Sequence, residues 1–422
     1  MIGLFHGGTP VSAVYRGPNR LWSWRPDLLI APGTPGLWLD PSDPARLSQD
    51  AAGMVPLQGP GQPVGRVPQR MGTTDALQSV SSARPTLARH PKGGRRNLTV
   101  KNDYGFVPVG VPLTSSVNSG GVQYMHVLGA SGVQAVCTGT GLTDGGLPYV
   151  DLHVFGTNAL VSPVDAGIRD YTLTTIGGTG VTVSAYVQVL TGSRTGLSFY
   201  MGGNIYAGAS HSAGNEATYV LPSSPAPERR SISHTFAGGQ NGIQYTSARI
   251  RVAAGATVDA IVRISGFQIE RGTAPTPAQC VVGSNDITEP GVPPVWHLLF
   301  DGVDDSLLMT LPSGTYGLAL VDLLGTVTFD TVTDPTRILP SSTMRIADAL
   351  IRSGAFNIAE QATCVFRESW AAISRDLGHA FHAIVGSHFA DAGRLADGFM
   401  ESGLIGLVKR FRDAAPASQA FP

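Results

Sequence analysis

Charge is scarce in this chain. Asp, Glu, Lys and Arg make up 14% of its 422 residues and leave a net charge of −1. So few charges, so evenly balanced, offer no basic face for nucleic acid and none for an anionic membrane surface. Cysteine is scarcer still: Cys137, Cys280 and Cys364 are far apart, odd in number and in no CxxC pattern. That excludes a disulfide framework or a zinc knuckle and leaves lone buried thiols. No run reaches the roughly 18 apolar residues of a membrane span, so no membrane insertion is expected. The opening "MIGLFHGGTPVSAVYRG" lacks a charged stretch followed by an apolar one, so no secretory signal is expected. The protein is expected to be made in the cytoplasm and kept there until it joins an assembly.

Catalytic signatures are missing too. There is no GxSxG elbow, no HExxH and no glycine-rich phosphate loop followed by Lys-Ser/Thr. Glutamates are sparse through the middle of the chain: Glu216, Glu228, Glu270 and Glu289. Glu216 lies in the Gly/Ser-rich "SAGNEATYV", read as a loop, and Glu228 in "SSPAPERR"; neither has a second acid beside it. The expectation is a protein that is not an enzyme.

What is abundant is glycine and proline, 53 and 30 residues. With so little charge, this is the balance of many short strands joined by tight turns. "VSAVYRGPNRLWSW" reads as two short strands around Gly17-Pro18-Asn19, and "RPDLLIAPGTPG" (25–36) as a linker. Leu37–Asp40 reads as a strand ahead of the turn signals Asp40-Pro41 and Asp43-Pro44. From Asn97 to about Val282 nearly every segment is strand-like. "YVDLHVFGT", "VTVSAYVQVLTG", "SARIRVAAG" and "VDAIVRISGFQIE" all alternate, which predicts a β-sandwich. After Pro340 the period changes. "SSTMRIADALIRSG", "NIAEQATCVFRESWAAISRDLG" and the glycine-interrupted segments that follow predict helices over 341–422.

"HLLFDGVDDSLLMTL" crowds Asp301, Asp304 and Asp305 into an apolar run. The spacing lacks the alternate ligands of a calcium loop. Adjacent acids on a strand would point to opposite faces, whereas glycosidic cleavage needs two facing acids roughly 5–10 Å apart. Asp-Gly between apolar strands predicts a turn. His379 and His382 are i,i+3 neighbours on a predicted helix, with His388 beyond. No carboxylate or Cys lies at matching spacing, and the apolar Phe381, Ile384, Val385 and Phe389 favour an oligomer seam over a metal.

Three sets of phrases carry a resemblance. "LWLDPSDPARLSQDAAGMVPLQGPGQPVGRVPQ", "ARPTL" and "LLFDGVDDSLLMTLP" together resemble proteins of tailed bacteriophages and prophages. There they frame a lectin-like, concanavalin-type β-sandwich. The segment from "GGRRNLTV" to "GFQIERGTAPTPAQC" resembles a jelly-roll carbohydrate-binding module inserted in such a frame. "GGTPVSAVYRGPNRLW" is similar to a short leader on phage structural proteins. The implied fold is mainly β: a lectin-like β-sandwich interrupted by a jelly-roll β-sandwich, with a C-terminal α-helical segment. The implied parts are a virion-docking element (1–24), the linker (25–36), the frame (37–95 with 283–340), the inserted module (96–282) and the helical region (341–422). Few strands are legible after "FDGVDD", so a reduced frame, or one completed by neighbouring copies, is a further expectation.

The resemblance implies a virion structural protein, a tail fibre, spike or head fibre, that presents a glycan-binding module for host attachment. Its partners would be other virion proteins, further copies of itself in a homotrimer, and a host cell-surface glycan. The alternatives are a virion polysaccharide depolymerase, or a purely structural decoration or adaptor protein. Tyr15, Leu21, Trp22 and Trp24 are the docking candidates. Sugars stack on aromatic rings, and turn-adjacent tyrosines are the surface candidates. Tyr200 and Tyr206 flank "MGGNI", read as a turn, and Tyr245 follows "GGQNGIQ" closely enough to join them. In modules of this kind a carboxylate near the last strand helps hold a structural calcium; here that implies Glu270, with Asp103 as its partner.

Overall fold

The computed structural model describes residues 35–356 except 70, 73, 113–116, 120–121, 128–130, 324–325, 334 and 339–342, together with the backbone of four short N-terminal strands. The described residues divide into two units, one holding the N-terminal strands and the other residues 35–355. In the first unit, Ala13–Arg16 pairs antiparallel with Asn19–Ser23. Tyr15, Leu21 and Trp22 lie on that hairpin, and Trp24 lies outside the described residues. Cys364, the three C-terminal histidines and the helices expected beyond residue 356 also lie outside them.

Residues 35–355 hold two hydrophobic cores. One gathers residues between Tyr104 and Ile269. It is sandwiched between a seven-stranded and a five-stranded antiparallel sheet. The seven-stranded sheet runs Val117–Ser119, Val122–Val127, Val164–Asp170, Gly242–Val252, Leu197–Ala207, Ser210–Val220, with Thr174–Thr175 beside Gly242–Val252. The five-stranded sheet runs Val133–Leu142, Pro148–Thr157, Thr257–Arg271, Gly180–Gly192, Glu228–Thr235. Alternation explains the core. Val164, Ala166 and Ile168 face inward, as do Ala248, Ile250 and Val252, and Phe199 and Met201. Polar side chains take the other face.

The second core gathers Leu37 to Leu87 from one flank and Leu298 to Ile351 from the other. Its nine-stranded sheet centres on Thr86–Pro91, Pro294–Phe300, Met344–Ser353 and Thr315–Asp322, and a four-stranded sheet joins Arg337–Ile338, Leu307–Leu308, Ala76–Leu77 and Arg66–Val67. More strands therefore follow "FDGVDD" than the sequence made legible.

One of them corrects the sequence reading. "SSTMRIADALIRSG" is not a helix: Met344–Ser353 is a strand, paired with Pro294–Phe300, Thr315–Asp322 and Gly36–Leu39. Asp322 opposes Ile346 and Val321 opposes Asp348, which leaves Ala347 as an unopposed extra residue. That irregularity breaks the period of two, and Ala349, Leu350 and Ile351 are all buried in succession. A central strand covered on both faces loses the alternation that identifies a strand, and the remaining pattern mimics a helix.

A buried amide network ties residues 94–102 to residues 267–289. Gln279 accepts from the backbone N–H of Arg96 and Asn97 and donates to Gly94 O and Glu289 Oε2. Asn97 and Asn102 each donate to the carbonyls of Phe267 and Gln279. Asn97, Asn102 and Gln279 are fully buried, so each bond replaces one that water would otherwise supply.

Candidate functional site

The outer face of the seven-stranded sheet carries the site. Strand register sets its side chains in rows. One row runs Arg169, Ser247, Gly202, Glu216 across four adjacent strands. The next runs Gly167, Arg249, Tyr200, Thr218. In the first row the middle positions are small. Ser247 and Gly202 form a low floor between Arg169 on one side and Glu216 on the other, three strand spacings or roughly 14 Å apart. The result is an open cavity of about 280 Å³ lined by Arg169, Tyr200, Gly202, Gly203, Asn204, Glu216, Tyr245, Ser247 and Arg249.

Glycine at 202 is needed for that floor. A Cβ there would stand 2.9 Å from the Tyr200 hydroxyl and 3.2 Å from Glu216 Cγ. "MGGNI" is therefore not a turn. It lies within the continuous strand Leu197–Ala207, and its glycines serve close approach. Glu216 likewise sits on the edge strand Ser210–Val220 rather than in a loop, because Gly and Ser there line an exposed strand instead of breaking it.

Tyr245 reaches the cavity through a bulge. Gly202 pairs with Ser247 and Asn204 with Gln244, so Tyr245 and Thr246 together oppose Gly203. Ile243 and Thr246 remain buried, while Gln244 and Tyr245 are turned outward in succession. Tyr245 has φ 54°, and among the described residues it is the one non-glycine with positive φ. Such a conformation costs about 1–3 kcal/mol in a non-glycine residue and clusters at binding sites. The residue is 36% exposed, and its ring meets Tyr171 edge to face, with centroids 5.0 Å apart. Tyr171 in turn accepts a hydrogen bond from Arg169 Nη1 at 3.0 Å.

The wall beyond the floor is ionic. Asp165 accepts from Arg249 at 3.0 Å and from both Nε and Nη2 of Arg251. Both guanidiniums lie over the Tyr200 ring, 4.2 Å and 3.9 Å from its centroid. Burial pulls Arg249 below its usual pKa, and Asp165 opposes that pull. Burial, followed by the nearby Glu216, pushes the Tyr200 phenol up to about 12.

Of the three tyrosines singled out from sequence, the fold brings Tyr200 and Tyr245 to one cavity. Tyr200 is 3% exposed and its ring is occupied by two arginines, so it supports the wall and offers no stacking surface. Tyr206 does not line the cavity; it packs edge to face with His211 at the end of its strand. Arg169, Arg249, Ser247, Gly202, Asn204 and Glu216 were missed. The signal was present in "SARIRVAAG": its alternation that buries Ala248 and Ile250 sends Ser247, Arg249 and Arg251 to the opposite face together.

The acids weighed for a metal stand elsewhere. Asp301, Asp304 and Asp305 do gather within 4.8 Å, because their segment is a turn and not an extended strand. Asp301 Oδ1 accepts from the N–H groups of Val303, Asp304 and Asp305, and Asp305 accepts from the Asp301 N–H. The Asp301 and Asp305 carboxylates are spent on shaping that turn. Glu270 is 1% exposed and accepts from Gln268 Nε2, from the Thr276 N–H and from the Thr276 hydroxyl. Arg229 stands 3.9 Å from it. Asp103 pairs with Lys101 at 3.0 Å. With its oxygens taken by protein donors and a guanidinium alongside, Glu270 does not suit calcium, and we assign no cation to this pair. Cys137 and Cys280 are free and buried; burial raises both thiols, Cys137 to about 11.

No protein-family model matches the chain, and no curated protein matches it. Among solved structures, a carbohydrate-binding module of the β-sandwich superfamily shows 11% identity and a TM-score of 0.27, covering 51% of this chain and 77% of its own. The adhesin domain of Epf from Streptococcus pyogenes shows 11% identity and a TM-score of 0.21, covering 67% and 83%. The glycoside hydrolase domain of Endo-D from Streptococcus pneumoniae R6 shows 13% identity and a TM-score of 0.20, covering 49% of this chain and 32% of that one.

Proposed function

We propose that this protein is a glycan-binding virion structural protein, and that the cavity on its seven-stranded sheet takes the sugar. The observation that carries the reading is Tyr245. It is an exposed aromatic ring held in a costly backbone conformation at the rim of a polar cavity. Sugar recognition needs that pairing: an aromatic face for the C–H surface of the ring and a few fixed polar groups for its hydroxyls. Asn204, Ser247 and Glu216 supply the polar groups.

The virion setting rests on the framing phrases and the N-terminal hairpin. A shallow, open site binds one sugar weakly, and a homotrimer on a particle would multiply that affinity. We take the protein to be a binder rather than a depolymerase. Glu216 is the one carboxylate among the described residues lining the cavity, and glycosidic cleavage ordinarily needs two.

A polysaccharide array probed with the purified chain tests the reading. We expect defined hits that Tyr245→Ala abolishes with no loss of thermal stability. An array without hits, or hits that survive Tyr245→Ala, would contradict it. Light scattering that gives a stoichiometry other than three would remove the trimer.

A further inference from the structure

We infer that the sugar bound in this cavity is an acidic one, whose negatively charged group sits against Arg169 while its hydroxyls face Glu216. The inference rests on the glycan-binding reading and specifies its ligand.

The cations on the outer face are not equivalent. Arg251 is matched by Asp165 through two hydrogen bonds. Arg249 shares the same carboxylate through one, so Asp165 serves two guanidiniums and a positive charge is left over. Arg249 is 8% exposed, it lines the cavity, and its Nε has no hydrogen-bond partner. Arg169 has no carboxylate partner among the described residues. Its Nη1 is spent on a neutral phenol, and its buried Nε is unpartnered. Two guanidiniums therefore line one wall with donor capacity unused, and natural folds rarely leave buried donors idle without a ligand or water to meet them. An anionic oxygen matches this demand better than a neutral hydroxyl, because a guanidinium presents several donors and no acceptor.

The opposite wall asks for the reverse. The Glu216 carboxylate lines the cavity and can only accept. Sugar hydroxyls can donate to it; an anionic group would be repelled. The row Arg169–Ser247–Gly202–Glu216 thus runs from an anion-seeking end to a hydroxyl-seeking end across a floor with no side chain larger than serine. That polarity fixes one orientation for an acidic pyranose or a short oligosaccharide containing one. Carboxylate and sulfate groups share this chemistry, and the probes separate them.

The test is a binding series with polygalacturonate, hyaluronate, a sialylated oligosaccharide and dextran sulfate, against carboxyl-reduced polygalacturonate, dextran and galactan. It uses the full chain, Arg169→Gln, Arg169→Lys, and Arg194→Gln as a control that removes one positive charge from an exposed loop. We expect an acidic polymer to bind at least about tenfold more tightly than its neutral counterpart, the worth of one hydrogen bond to a charged group. Arg169→Gln should erase that preference, Arg169→Lys should keep part of it, and Arg194→Gln should leave it intact. Preference for dextran sulfate over the uronates would assign the charged group as sulfate. Equal binding of neutral and acidic forms, or a preference that Arg169→Gln and Arg194→Gln reduce alike, overturns the inference and leaves the glycan reading standing. Binding to none of these polymers or to any other glycan overturns both.

Discussion

The guanidinium of Arg251 lies 3.9 Å from the centroid of the Tyr200 ring, and Asp165 holds that guanidinium in place with two hydrogen bonds. A tyrosine so placed is a strut. Its ring is the surface on which the ionic wall rests. Tyr200→Ala should cost about 3–5 kcal/mol of stability, as for other buried aromatics. Tyr200→Phe keeps the ring and with it the platform for both guanidiniums, so it should cost no more than about 1 kcal/mol. Urea unfolding of the two variants measures the difference; equal losses would contradict the strut.

Tyr245 is the opposite case, a residue whose conformation opposes stability. Glycine adopts φ 54° without penalty. Tyr245→Gly should therefore leave the stability unchanged or raise it slightly, by up to about 1 kcal/mol in a urea unfolding measurement, while removing the proposed sugar platform. A clear drop in stability would show that the ring holds the fold together instead.

Much of this architecture was legible in the sequence. Strands exposed on one face alternate, and "YVDLHVFGT" and "SARIRVAAG" announced themselves as strands. What failed was information that lives between strands. Met344–Ser353 lost its period to an extra residue and to burial on both faces. "MGGNI" looked like a turn because glycine also serves close approach, and nothing within one strand reveals which neighbour approaches. Tyr200 and Tyr245 lie 45 residues apart in sequence and line one cavity only through the pairing of their strands. Arg169 and Glu216 are far apart in sequence and share a row only through pairing of four strands.

Asp165 is the hinge of the ionic wall. It is 7% exposed and serves two guanidiniums. Removing one partner of a buried ion pair strands the remaining charge, so Asp165→Ala should destabilise by about 3–5 kcal/mol. Asp165→Asn keeps one acceptor and the shape, and should cost less. A thermal melt showing both variants close to wild type would mean that solvent screens this wall.

A buried histidine pair should make the second core acid-sensitive. His90 and His297 meet edge to face, 4.9 Å apart, and His297 is fully buried. Burial, with the neighbouring His90 and Arg345, lowers His297 to about 3; burial lowers His90 as well, against a backbone carbonyl and Asp286. An unfolded chain protonates both near pH 6.5. Between about pH 3 and 6.5 the unfolded state thus binds more protons than the folded one. The stability these groups give is complete above that window and falls on acidification, by up to about 1.4 kcal/mol per pH unit for His297. His297→Phe should flatten the slope between pH 7 and pH 5. An unchanged slope would rule the pair out as its source.

The central claim is that sugar enters the cavity beside Tyr245. The measurement that tests it most directly is a structure of the protein with a bound oligosaccharide chosen from its array hits. The account predicts a pyranose ring in contact with Tyr245, over Ser247 and Gly202, with a charged substituent at Arg169. A sugar bound on the five-stranded sheet, or anywhere that leaves Tyr245 untouched, would contradict it.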